Sequence, residues 1–134
     1  MSLHGDLDWM LAEFARETPG VRRAVVVSAD GLRLAVSPGI GTNLGDQLSA
    51  AASGLTSLAR GTAHLLQSEP VTQVILEMAG GYFFVSAISH GAVLAVDADR
   101  RCDIGLVGYE MTLLAGRAGH ALTPAARGHQ DVVR

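Results

Sequence analysis

The sequence contains no lysine: all ten of its basic side chains are arginines. That absence removes the P-loop lysine, a Schiff base to pyridoxal phosphate or a carbonyl substrate, and a serine–lysine dyad. Cysteine occurs once, at Cys102, which excludes an internal disulfide framework and any multi-cysteine zinc or iron–sulfur site and fits a reducing compartment. No apolar run approaches the roughly 18 to 20 residues needed to span a bilayer, and residues 1–11 lack a basic segment leading into an apolar one. The expectation is a cytoplasmic protein without direct membrane insertion, recruited to a membrane only by a partner. A net charge of −3 gives nothing that favours nucleic acid or an anionic lipid surface.

About half of the residues are hydrophobic, 49%, and few are aromatic, 4%, a globular composition without the signature of disorder. A chain of 134 residues fits one domain and can bury about two thirds of its unfolded surface around one core. The domain is expected over 1–124, followed by a flexible tail, 125–134.

Leu7, Met10, Leu11 and Phe14 repeat at helical spacing within 6–18, and Pro19-Gly20 ends that segment. The β-branched run in 21–28 and the alternating Leu32, Leu34 and Val36 flank Asp30-Gly31, which predicts a hairpin. A loop at 37–43 precedes a long helix over 44–67, with Thr42 or Asn43 as its cap. Period-two patterns over 71–78, 82–88 and 92–96, separated by Gly80-Gly81 and Ser89-His90-Gly91, predict an antiparallel meander. A charged loop at 97–101 leads to a last helix capped by Asp103 and stopped at Thr123-Pro124. Helices on both faces of five antiparallel strands bury every apolar stripe, so the fold class is α+β, a profilin-like sandwich in the order α-β-β-α-β-β-β-α.

The long helix has an unusual surface. At ~100° per residue, Leu44, Leu48, Ala51, Leu55, Leu58 and Leu66 share a face that should cover the sheet. One flank carries Ala50, Gly54, Ser57 and Gly61, the other Gly45, Ala52, Ala59 and Ala63. Two mid-helix glycines cost ~2 kcal/mol against alanine, which close approach of another backbone would offset. That backbone is either the helix's own sheet or a twin helix across a two-fold axis. Gly54, Ser57 and Gly61 on one flank, and Ala52 and Ala59 on the other, are candidates for a homodimer contact, and the pattern does not choose between the flanks. The strand 71–78, with Val71, Gln73, Ile75 and Glu77 on one face, is either placed to pair edge to edge with its twin or is an ordinary edge protected by Pro70 and Glu77.

Catalytic and cofactor signatures are weak. Gly39-Ile40-Gly41-Thr42-Asn43-Leu44-Gly45 opens the long helix, but its glycine spacing and the preceding hairpin do not fit a dinucleotide fingerprint. His4, His64, His90, His120 and His129 include no pair at metal-ligand spacing, and no G-x-S-x-G elbow occurs. Cys102 stands beside Asp103 at a helix start, a position that lowers a thiol pKa, but no base accompanies it and a structural place is expected. No cofactor is expected. Arg60 is either a solubilising side chain or an arginine offered to a nucleotidase partner.

The sequence resembles the Roadblock family, the dynein light chain roadblock type of domain, and within it the small actinobacterial proteins of conservon-type operons. The resemblance runs from about residue 7 to 124. It rests on the Val-Ser-Ala-Asp-Gly-Leu of 27–32, on Asp46-Gln47-Leu48 with Ala52-Ser53-Gly54-Leu55, on Glu77-Met78 followed by Gly81, and above all on Cys102-Asp103-Ile104-Gly105-Leu106-Val107-Gly108-Tyr109-Glu110-Met111. His90 and Ala92 depart from the Asp-Gly-Ser more common in that turn. The resemblance implies homodimers or heterodimers in which the middle helices pack and the third strands join one sheet. It also implies a non-catalytic platform for a small Ras-like GTPase, with a GTPase-activating effect in some bacterial relatives. A histidine-kinase-like membrane sensor would be a further partner, and the strip around Ser53, Thr56 and Arg60 would be part of the docking platform. A PAS-like small-molecule sensor domain, which uses a similar sheet, is the second functional class.

Overall fold

Leu7, Leu11 and Phe14 recur at intervals of four and three residues and are buried along one side of α1 (Leu3–Glu17). Gly20 adopts a φ of +90°, the left-handed conformation that lets the chain turn directly into β1 (Val21–Val27). β1 and β2 (Arg33–Val36) form the expected hairpin, where the Gly31 N–H donates to the Ser28 carbonyl at 3.0 Å and the Ser28 N–H donates to the Leu32 carbonyl at 2.8 Å. There follow α2 (Thr42–Leu65), β3 (Gln73–Met78), β4 (Gly81–Ala87), a 3-10 turn at Ser89–Gly91, β5 (Val93–Asp99) and α3 (Ile104–Val133). This computed structural model describes the backbone of residues 3–133 and the side chains of residues 5–122.

The five strands form one antiparallel sheet in the order β2-β1-β5-β4-β3, so β2 and β3 are its edges. Alternation along the strands separates two cores. Val26, Phe84, Leu94 and Val96 face α1 and α3 together with Leu7, Leu11, Val107 and Met111. Val25, Val27, Phe83, Val85 and Val93 face α2. The architecture is the profilin-like α+β sandwich, in the order α-β-β-α-β-β-β-α, that the sequence predicts.

Four local features differ from the sequence reading. Gly41, in extended backbone and without a side-chain cap bond, is the N-cap of α2 in place of Thr42 or Asn43; glycine is tolerated there because the position is non-helical. β3 starts at Gln73, leaving Val71 ahead of the strand. β5 continues through Asp99 because its charges are neutralised within the sheet: Arg22 Nη2 donates to Asp97 Oδ1 at 2.9 Å and Arg23 also binds the Asp97 carboxylate. α3 runs past Thr123-Pro124 to Val133; proline removes one helical N–H, and the turns on either side of it remain helical. The side chains of the expected flexible tail, 125–134, lie outside the described residues.

The largest correction concerns α2. Its buried residues are Gly45, Ser49 and Ala52, with Thr56, Ala59 and Ala63 continuing that line half-buried. The helix therefore lies on the sheet through small side chains. Leu48 and Leu55 reach the core only in part, while Leu44, Leu58, Leu65 and Leu66 are exposed. Both the leucine face and this flank are apolar and lie less than a third of a turn apart, so periodicity alone could not tell which one meets the sheet. Helix-to-sheet distance decides, because small residues let the backbone come closer to a surface already filled by Phe83 and valines.

The β5–α3 connection is pinned by side chains. The Arg101 N–H donates to Asp99 Oδ1 at 2.7 Å, and Asp103 caps α3 as expected, its Oδ1 accepting from the Leu106 N–H at 3.1 Å. Cys102 packs half-buried against the α1–α3 core. Burial, and then the carboxylates of Asp99 and Asp103, push its thiol pKa up, with Arg22 opposing, so the lowering expected from a helix start does not occur. The thiolate fraction is thus smaller than in the unfolded chain. Iodoacetamide should alkylate native Cys102 more slowly than the denatured chain at about pH 8, as followed by mass spectrometry, and an equal or faster native rate would contradict this placement.

Phe84, on β4 beside the central strand, is fully buried. Phe84→Ala should lower unfolding free energy by about 3–5 kcal/mol in urea titration, whereas Leu32→Ala, at a turn where the side chain is 64% exposed, should stay within about 0.5 kcal/mol.

Candidate partner-docking surface

With Gly45, Ser49 and Ala52 against the sheet, the opposite line of α2 runs through Gln47, Ala51, Gly54, Leu58, Gly61 and Leu65, at alternating spacings of four and three residues. Such spacing makes a straight seam for a second helix. Leu58 and Leu65 are 73% and 83% exposed, and nothing lies within 4 Å of where a Cβ would stand at Gly54 or Gly61. These glycines therefore do not serve the contact with the helix's own sheet. Of the two candidate flanks, the one carrying Gly54, Ser57 and Gly61 faces outward. Ala52 is fully buried against the sheet and so is closed to any partner, and Ala59 lies half-buried on that same side.

Beside the seam, Leu48, Ala51 and Leu55 of α2 and Leu76, Met78 and Phe83 of the sheet, with Asp97, line an open hollow of about 310 Å³. Leu76 and Met78 remain 41% and 40% exposed, so seam and hollow form one continuous apolar surface. Sequence reasoning missed Leu58, Leu65, Leu76 and Met78 as surface residues. Their exposure follows from the rotation of α2.

The surface ends at the outer edge of β3, which pairs with β4 alone among the described residues. Gln73, Ile75 and Glu77 of this edge project to the α1–α3 side, while Val71 lies ahead of the strand. Gln73 Nε2 donates to Ser86 Oγ at 3.1 Å, and Glu77 Oε2 accepts from Arg100 Nη1 at 2.8 Å. Arg100 also lies 5.5 Å from the centre of the Tyr82 ring, and its bond to Glu77 holds its guanidinium further above the ordinary pKa. Ile75 is 46% exposed between these polar neighbours.

Ser53, Thr56 and Arg60 come together on the other side of α2, around a polar hollow of about 80 Å³ that Ser57, Ser28 and Gly91 also line. The Thr56 hydroxyl donates to the Ala52 carbonyl at 2.8 Å. Arg16, Arg22, Arg23, Arg33, Arg100 and Arg117 each pair with a carboxylate, whereas Arg60 and Arg101 pair with none among the described residues.

The remaining histidines do not join these surfaces into a reactive centre. His64 Nδ1 lies 2.7 Å from Glu69 Oε2 at the surface, and His90 occupies the left-handed region at φ +60° in the 3-10 turn. No group of three or more metal-ligating side chains occurs among the described residues, and the side chains of His4 and His129 lie outside them. No helix among the described residues is long and apolar enough to cross a membrane.

The family model of the Roadblock/LC7 domain matches residues 7–98. A crystal structure of a Roadblock/LC7 domain from Streptomyces avermitilis is 34% identical in sequence, covering 87% of this chain and 97% of that one, with a TM-score of 0.82. The gliding protein MglB from Thermus thermophilus shares the fold at 18% identity, with a TM-score of 0.80 over 92% of this chain and 93% of its own. A structure described as MglB with tetrameric arrangement gives a TM-score of 0.81 at 18% identity, over 93% of each chain. No curated protein matches the sequence. With most of its length matched by the family model and a relative above the level of chance resemblance, the chain belongs to the Roadblock/LC7 family.

Proposed function

We propose that this protein is a non-catalytic, dimeric scaffold that regulates a small Ras-like GTPase in a bacterial signalling system. The observation that carries the reading is the outward seam of α2, where Leu58 and Leu65 stand in solvent and alternate with Gly54 and Gly61. A twin helix crossing there would bury the leucines and place its backbone against the glycines. The contact would be isologous, with the β3 edge at Gln73, Ile75 and Glu77 beside the two-fold axis and open to pairing with its twin. Ser57 would lie at the rim of that contact.

The dimer would leave the polar hollow of Ser53, Thr56 and Arg60 facing outward as the GTPase-docking platform. An unpaired arginine next to hydroxyls suits a carboxylate-bearing partner surface. A GTPase-activating effect would then come from ordering the GTPase's own residues, with this chain supplying surface. The protein would work in the cytoplasm and reach the membrane through a histidine-kinase-like sensor. The PAS-like reading asks for an enclosed ligand pocket between sheet and α2; the hollow at Leu48, Leu55, Leu76 and Met78 is open to solvent, and further in Gly45, Ser49 and Ala52 lie directly on the sheet.

The test is capture of a small Ras-like GTPase from the same organism, loaded with GDP or with a non-hydrolysable GTP analogue. Retention should be strong in one nucleotide state, and Arg60→Ala should weaken it about tenfold. No retention in either state would sink the scaffold reading.

A further inference from the structure

Across the sheet from α2, the last turns of α1 and the first half of α3 leave a groove of about 300 Å³. Its floor is Phe14 and Leu114, both buried, and Leu106 and Leu113 rise from α3 at 37% and 47% exposure. These two leucines stand seven residues apart, two helical turns along one face. Glu13, Glu17 and Glu110 also line the groove, against one cation, Arg117.

That cation is already engaged. Arg117 Nη1 lies 3.4 Å from Glu13 Oε1, bridging α3 to α1. Glu110 is half-buried between the levels of Leu106 and Leu113, and its carboxylate has no ion pair or hydrogen bond among the described residues. Glu17 has only its neighbour Arg16, at 3.8 Å and with both side chains well exposed, a contact of little energy. A groove that is half apolar and half polar, Thr18 and Pro19 completing its wall, therefore carries two carboxylates without effective counter-charge. Anionic lipid and nucleic acid would be repelled, and an uncharged apolar segment would desolvate Glu110 without compensation.

We propose that the α1–α3 groove docks a basic amphipathic helix of a partner protein. Apolar side chains of that helix at i and i+7 would follow the spacing of Leu106 and Leu113, and a lysine or arginine between them would meet Glu110. A second basic residue would reach Glu17. The site lies on the opposite face of the sheet from the α2 seam and does not depend on how that seam is used. In a dimer joined through α2, both grooves stay open, so two such helices on one partner would bind with added avidity.

The test uses the full-length protein and a fluorescein-labelled amphipathic peptide of leucine, alanine and lysine, about 18 residues long so that it can hold a helix, with a counterpart in which glutamate replaces every lysine. Fluorescence anisotropy should show binding of the lysine peptide, weakening as salt rises, and little binding of the glutamate peptide. Glu110→Arg should weaken the lysine peptide about tenfold and Glu110→Gln by a smaller factor, with circular dichroism confirming both folds; Leu58→Glu on the opposite face should leave binding unchanged. Equal binding of the two peptides, or loss with Leu58→Glu but not with Glu110→Arg, would overturn the proposal. So would a solution mass above the dimer that Leu113→Glu abolishes, which would give the groove to another copy of this chain.

Discussion

The close seat of α2 on the sheet is the constraint from which the functional surfaces follow. Gly45, Ser49 and Ala52 form the line of contact because larger side chains would hold the helix off a sheet face already filled by Phe83, Val85 and Val93. Once those small residues face inward, the helical repeat leaves no choice for the others. Leu58 and Leu65 must point to solvent, and Ser53 and Arg60 must point toward the β1–β2 turn. A single packing decision thus divides the helix into an inner seat, an apolar outer seam and a polar side.

Magnitudes say how much of that outer surface a stable partner contact would need. Burying a leucine side chain is worth about 1.5–3 kcal/mol, so Leu58 and Leu65 of the two copies, four leucines in all, would supply roughly 6–12 kcal/mol. Lost translational and rotational freedom on association costs about 4–15 kcal/mol. The leucines alone about balance that cost. A lasting contact must also cover the hollow at Leu76 and Met78 or pair the open edge of β3, which is why these adjoining features belong to one surface.

Most of the fold was legible because its signals were local. Asp30-Gly31 marked the hairpin, period-two alternation marked the meander, and Asp103 marked the start of α3 where it in fact caps the helix. The strand ends were less legible, since β5 extends to Asp99 only because Arg22 and Arg23, distant in sequence, neutralise Asp97. The candidate site was half legible. Gly54 and Gly61 stood out as costly helix residues, yet the side they face is a property of tertiary packing, and Ala52, a candidate on the flank left open as the alternative, lies wholly inside. The rotation of α2 was invisible because a leucine face and a glycine–alanine face are equally apolar in a sequence pattern. Cys102 takes the structural place expected of it, while the burial that raises its thiol pKa against the pull of a helix start is visible only in the fold.

The central claim is that a second copy covers the outer seam of α2. Hydroxyl-radical footprinting of the intact protein reads it directly, residue by residue. In the single chain Leu58 and Leu65 are 73% and 83% exposed, against 64% for Leu32 in the β1–β2 turn. If the seam is covered in solution, Leu58 and Leu65 should oxidise several-fold more slowly than Leu32, reversing the order of single-chain exposure. Oxidation of Leu58 and Leu65 at least as fast as that of Leu32 would mean the seam is bare, and would contradict the account.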